Sequence, residues 1–206
     1  MYPVKDIAAR FARGKTYSAY LMEMQKNRET IAAISKEIRL SEDDQQFFRE
    51  ALRRLGPINV LVISEDWCPD CALNVPVLMQ VAALGAVEVR FFKKEEADDI
   101  HTHALKGDRK AIPTFICFDA NWNEVGQWLE RPAKADLLLA EWDQTHPNPA
   151  EPDRTAPVWK AHRAARSAYR DALFFQQGLW RETIHELRLI VSQQVFNNQL
   201  VMAQAH

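Results

Sequence analysis

The chain has 206 residues, 47% apolar and 26% charged, with a formal net charge of −2. That balance supplies no basic field for nucleic acid, and no apolar run approaches the roughly 18 residues a membrane helix needs. Three cysteines, Cys68, Cys71 and Cys117, are too few for a disulfide scaffold in a chain long enough to bury its own core. The opening segment, 1–15, shows neither a continuous apolar stretch nor a small-residue cleavage site, so the expected location is cytoplasmic.

The first zone, 1–57, reads as a helical extension. Tyr17, Tyr20, Leu21, Met24, Ile31, Ile34 and Ile38 recur mostly at three- and four-residue spacings, which predicts one amphipathic helix. Ser41 followed by Glu42, Asp43 and Asp44 offers a capping serine and acids for a first turn. A second helix therefore carries Phe47, Phe48, Leu52 and Leu55 and stops at Gly56-Pro57.

The second zone, 58–146, alternates strand and helix signals. Ile58 to Ile63 is an apolar, β-branched run, and Cys68 to Leu84 reads as a helix containing Pro76. Val87 to Phe92 is a second strand, and Glu95 to Leu105 a polar helix ended by Gly107. Thr114 to Phe118 and Glu124 to Leu129 are two more strands joined by an Asn121-Trp122-Asn123 turn, and a last helix starts at Pro132. This is an α/β order with a central mixed sheet covered on both faces. Four prolines between His146 and Pro157 make 147–157 an extended connector. The final zone, 158–206, holds two helical stretches interrupted near Gly178, whose Trp159, Phe174, Phe175 and Trp180 read as core.

The chemistry concentrates in Asp66-Trp67-Cys68-Pro69-Asp70-Cys71, after an apolar strand and at a helix start. A nucleophilic thiol must be a thiolate, and a helix N-terminus lowers its pKa through free N–H groups and the helix dipole. Cys68 is thus the attacking thiol at the solvent-facing start of the helix. Cys71, one turn on, is the resolving thiol, and Pro69 fixes the backbone between them without sacrificing a helix hydrogen bond. A zinc site lacks its other half, since no second CxxC and no spaced histidine pair is present. His101, His103, His162 and His185 read as ordinary histidines, and Cys117, inside a strand, as a small buried hydrophobe. No Gly-rich phosphate loop or nicotinamide fingerprint occurs.

These residues resemble the thioredoxin superfamily. The likeness rests on Trp67 before the first cysteine, on Pro76 five residues after the second, and on Ile112-Pro113-Thr114 downstream. It implies a thioredoxin-like fold with helical extensions at both ends. It also implies a cis Pro113 whose loop faces Cys68 and offers backbone groups to a peptide strand. The helical N-terminus, Glu65-Asp66-Trp67-Cys68, Asn74-Val75-Pro76-Val77-Leu78 and Arg131-Pro132-Ala133-Lys134 resemble a group of bacterial thioredoxin-like proteins of similar length, some of which lack the second cysteine. By the same resemblance, Val62 stands where ordinary thioredoxins carry a buried aspartate that helps move protons during resolution. Asp66 or Asp70 is the substitute, or raises the Cys68 pKa by like-charge repulsion, or is a plain helix-start acid. An acid beside the thiols predicts a reductant-like or intermediate potential.

The resemblance implies a thiol–disulfide oxidoreductase that reduces protein or small-molecule disulfides. Its redox-active disulfide serves in place of any cofactor or metal, and an external thiol or reductase returns the electrons. By the same likeness, Trp67 faces the partner. Arg131 lies near the active-site face, where it contacts an anionic substrate or is simply salt-bridged. The added helices narrow the peptide groove or form a homodimer face; neither nucleic acid nor membrane is expected as a partner. Two other readings stay open: a non-catalytic binding or chaperone-like module using the Pro113 loop, and a peroxide-reactive sensing thiol.

Overall fold

The computed structural model describes residues 4–204. Strands β1 (Ile58–Ile63), β2 (Val87–Phe92), β3 (Thr114–Phe118) and β4 (Glu124–Leu129) form one sheet in the order β2-β1-β3-β4. β1 runs parallel to β2 and antiparallel to β3, which pairs antiparallel with β4. The sheet is therefore mixed and the class α/β, as the alternating signals predict. Lys15 caps the β2 edge, exchanging backbone hydrogen bonds of 3.0 and 2.8 Å with Phe91. That pairing blunts an otherwise open edge.

Successive strand residues face opposite sides, and the core divides accordingly. Val60, Val62, Phe115 and Cys117 join one buried cluster, whereas Leu61, Ile63, Ile116 and Phe118 join another. The first cluster also takes in helix α3 (Arg28–Glu37), α4 (Glu42–Leu55), α5 (Pro69–Ala82) and α9 (Trp180–Gln204). The second takes in Ile7 and Phe11 of α1 (Ile7–Ala12) and Ile100 of α6 (Asp98–His101). α9 also lies close on β4: a side-chain carbon at Gly126 would stand 2.7 Å from Ile190 Cγ2. Helices α7 (Ala133–Thr145) and α8 (Pro157–Phe175) follow the sheet on either side of the proline-rich connector.

Two predicted helices are changed. The single helix over Tyr17 to Ile38 is two, α2 (Tyr17–Glu23) and α3, because Met24 is extended and Asn27 adopts a left-handed φ of 55°. The apolar spacing survives the break, since Tyr20, Met24, Ile31 and Ile34 are all buried in one cluster. The helix over Glu95 to Leu105 shrinks to a 3-10 turn, Glu95–Ala97, followed by the four residues of α6. Ala97, Ile100, His101 and Ala104 are buried there, so the segment folds as a compact plug rather than a polar surface helix. Elsewhere the local code is followed. Ser41 caps α4 in a reciprocal pair with Asp44, and the Ser41 hydroxyl accepts from the Asp44 N–H at 3.0 Å.

Phe48 of α4 is fully buried in the cluster that joins the N-terminal helices to the sheet. Phe48→Ala is expected to lower the unfolding free energy by about 3–5 kcal/mol in urea titration, with a single shifted transition. Two separate transitions would mean that the helices and the sheet do not share a core.

Candidate active site

β1 ends at Ile63, and the chain crosses Ser64-Glu65-Asp66-Trp67 before α5 begins. Cys68 is the N-cap of α5 and Pro69 its first residue, so proline removes only an N–H that the helix leaves unpaired. The Ile112–Pro113 peptide bond is cis. Cys68 Sγ lies 3.5 Å from the Ile112 carbonyl oxygen, which places that loop against the thiol. Both Cys68 and Cys71 are free thiols.

The two thiols are driven apart in acidity. A hydrogen bond from the Cys71 thiol, helped by the N–H groups of Cys71 and Asp70, holds Cys68 below the ordinary thiol value against burial and the Asp70 charge. Cys71 is pushed well above that value by burial first, then by its bond to Cys68 and the Cys68 charge. Asp70 opposes the thiolate by like-charge repulsion, as its place beside the thiols predicts, and the helix N-terminus and Cys71 outweigh it. One expectation, the solvent-facing placement of Cys68, is corrected. Cys68 is only 6% exposed, packed in the cluster that holds Ile63 and Ile112, while the neighbouring Trp67 is 52% exposed.

The two aspartates have structural partners that their place at a helix start does not reveal. The Asp66 carboxylate accepts from the N–H groups of Gln25 and Lys26 at 2.8 and 3.2 Å, and its carbonyl accepts from Asn27 Nδ2 at 2.8 Å. These bonds fill the break between α2 and α3 and fasten it to the motif loop. Asp70 is buried and holds Arg131 through bonds of 2.6 and 3.1 Å. Arg131 also pairs with Glu130 at 2.7 Å and Asp136 at 3.1 Å. Burial opposes the Arg131 charge, yet its bond to Asp70 and the three surrounding carboxylates raise its pKa. Glu130 takes a left-handed φ of 68°, which turns the chain after β4 so that Arg131 reaches Asp70. Arg131 is thus a partner of the motif's own acid.

Beneath the motif, Ser64 and Tyr20 are buried, with their hydroxyl oxygens 2.8 Å apart. Ser64 favours the Cys71 thiolate, though burial outweighs it. Sequence reading missed both: Tyr20 fits the apolar period of a core residue, and a lone serine after a strand carries no motif. Cys117 is buried in β3, its thiol pushed up to about 12 chiefly by burial. His101 is also buried, its Nε2 2.8 Å from the Ala111 carbonyl oxygen, and burial lowers its pKa. No group of three or more His, Cys, Asp or Glu side chains able to hold a metal occurs among the described residues.

A family model described as thioredoxin matches residues 14–143. The chain belongs to the thioredoxin family. No curated protein matches it. Among solved structures, a protein of unknown function from Pseudomonas aeruginosa aligns over 90% of this chain and 96% of its own, with 22% identity and a TM-score of 0.61. An HIV epitope-scaffold aligns over 81% of this chain and 96% of its own, with 24% identity and a TM-score of 0.52. Both likenesses are of fold. Within the thioredoxin frame, Val62 is fully buried in β1 opposite Phe91 and Phe115, leaving an apolar residue at that place.

The Asp70–Arg131 pair sets the charge that Cys68 meets. Thiolate is the reactive form, so a lowered pKa moves alkylation to lower pH. Iodoacetamide labelling of the reduced protein, read peptide by peptide, is expected to titrate Cys68 below an ordinary thiol and Cys71 far above it. Asp70→Asn moves the Cys68 midpoint down, and Arg131→Gln moves it up by leaving Asp70 unneutralised. Shifts in the same direction would show that the pair does not govern the thiolate.

Proposed function

We propose that the protein is a thiol–disulfide oxidoreductase reducing protein or small-molecule disulfides through Cys68 and Cys71. The carrying observation is the placement of the pair: Cys68 caps α5 with its Sγ 3.5 Å from the Ile112 carbonyl beside the cis Pro113 bond, and Cys71 lies one turn inside the helix, a setting that lowers the first thiol and raises the second. The Cys68 thiolate attacks one sulfur of the substrate disulfide, forming a mixed disulfide and releasing the first thiolate. Cys71 then loses its proton and attacks Cys68 Sγ, so that a Cys68–Cys71 bond forms as the second substrate sulfur leaves and takes up a proton. Substrate gains two electrons and the pair loses two. An external thiol or reductase restores the dithiol, a cycle suited to a reducing compartment such as the cytoplasm.

The burial of Cys68 directs the substrate to the edge beside Trp67 and the Ile112 carbonyl. Those two offer an exposed aromatic face and, 3.5 Å from the thiol, a backbone acceptor. An extended peptide or a compact disulfide meets both.

Equilibration in graded dithiothreitol buffers, read by alkylation and mass spectrometry, is expected to give a two-electron transition at roughly −200 to −280 mV. Cys68→Ser abolishes it, and Cys71→Ser accumulates a Cys68 mixed disulfide with a disulfide substrate. No Cys68–Cys71 disulfide anywhere in that range would sink the reading in favour of a binding module.

A further inference from the structure

β1 and β2 run parallel, and a cavity of about 310 Å³ opens beyond the carboxyl ends of both. Ser64, Glu65 and Asp66, directly after β1, form one wall, and Phe91, Phe92 and Lys93, at the end of β2, form another. In open α/β sheets that crevice is where ligands bind, and the volume is that of a small-molecule site. The floor is apolar. Met24, Phe91 and Phe92 are buried there, and Tyr20 stacks on Phe91 with ring centroids 4.6 Å apart. The hydroxyls of Tyr20 and Ser64, 2.8 Å apart, satisfy each other, so an apolar ring can rest on them without orphaning a polar group.

The mouth carries charge of both signs, but its carboxylates are engaged and two of its ammonium groups are not. Lys15 pairs with Glu23 at 2.5 Å. Glu65 accepts the Lys94 N–H at 2.9 Å, and Asp66 accepts the N–H groups of Gln25 and Lys26 at 2.8 and 3.2 Å. Lys26 and Lys93 are exposed at the mouth, and among the described residues their ammonium groups make neither an ion pair nor a hydrogen bond. Their backbones are held all the same, that of Lys26 by Asp66 and that of Lys93 by Glu96, whose Oε2 accepts its N–H at 2.7 Å. Two cations are thus fixed at the root and free at the tip, above an aromatic floor.

We propose that this cavity binds a small aromatic carboxylate, its ring on Tyr20, Phe91 and Phe92 and its anionic head at Lys26 and Lys93. The site lies against the motif loop but neither cysteine lines it, so it goes beyond the dithiol-exchange reading and does not depend on it. Each half of the ligand answers to one observation. The ring displaces water from an apolar floor, and the carboxylate takes charge-assisted hydrogen bonds from the two ammonium groups. An uncharged aromatic forgoes the second gain, and an aromatic amine meets both lysines as like charges.

The test is titration of the full, isotope-labelled chain with 2-naphthoate at low salt, followed in amide NMR spectra. Saturable shifts are expected at residues 24–26, 64–66 and 91–93, with a dissociation constant below about 1 mM. Lys26→Ala and Lys93→Ala, both changes at exposed side chains, each weaken binding by about fivefold, the scale of an exposed ion pair. Added salt weakens it in the same direction. 2-Naphthalenemethanol, which keeps the ring and drops the charge, binds more weakly, and equally in the wild type and both variants. An absence of saturable shifts, or shifts scattered away from those residues, overturns the site. Saturable binding that the alcohol matches, or that neither lysine substitution weakens, overturns the assignment of an anionic ligand.

Discussion

Helix α5 has almost no solvent face, and much of the architecture is arranged to cover it. Its run Asp70 to Leu78 is buried without interruption, and Val81 and Ala82 are buried as well. A helix that is apolar all round must be enclosed on every side. The sheet covers one flank, α3 and α9 cover the others, and side chains from all of them meet in one cluster. The one fully buried amide on the helix, Asn74, is satisfied from outside it: its Oδ1 accepts from the Thr183 hydroxyl of α9 at 2.8 Å. A buried amide left unpaired costs more than a hydrogen bond returns, so this contact fixes where α9 lies. The terminal helices are walls of the chamber that holds the dithiol helix.

The same enclosure explains how an acidic motif coexists with a lowered Cys68. Asp70, the second residue of a buried helix, would be costly alone. Arg131 reaches it from the turn after β4, and Glu130 and Asp136 hold the other side of that guanidinium. Breaking a buried pair of this kind costs about 3–5 kcal/mol. The negative charge that would repel a thiolate is therefore partly balanced within the protein, and Cys71 with the N-terminal amides of α5 outweighs the burial and Asp70 charge that oppose them.

Features written in local spacing were legible in the sequence. Ile58 to Ile63 and Thr114 to Phe118 were readable as strands because each is a short β-branched or aromatic run bounded by turns. The Ser41 cap was readable from four consecutive residues. What was not legible depends on partners far along the chain. The break at Met24 to Asn27 is held by Asp66, 39 to 41 residues later, so periodicity alone saw one helix. Asp70 looked like a helix-start acid because Arg131 lies 61 residues away. The short Glu95 to His101 segment looked polar because its buried face holds only Ala97 and His101 beside one isoleucine, Ile100. Ser64 and Tyr20 gain meaning only from being 44 residues apart and 2.8 Å from each other.

The closure of α5 by α9 has a consequence for how the protein is made. Asn74 and Thr183 are 109 residues apart, so α5 leaves the ribosome long before its last wall exists. At about 5–20 residues per second, that interval lasts roughly 5–20 s. Throughout it, an apolar flank of α5 and the open Oδ1 of Asn74 face water on the nascent chain. The sheet assembles during the wait, but the face awaiting Ile184 and Leu187 stays open to whatever binds apolar surfaces, a neighbouring nascent chain among them. A fold that hides its reactive helix so thoroughly in the finished state displays that helix most fully while it is being synthesised.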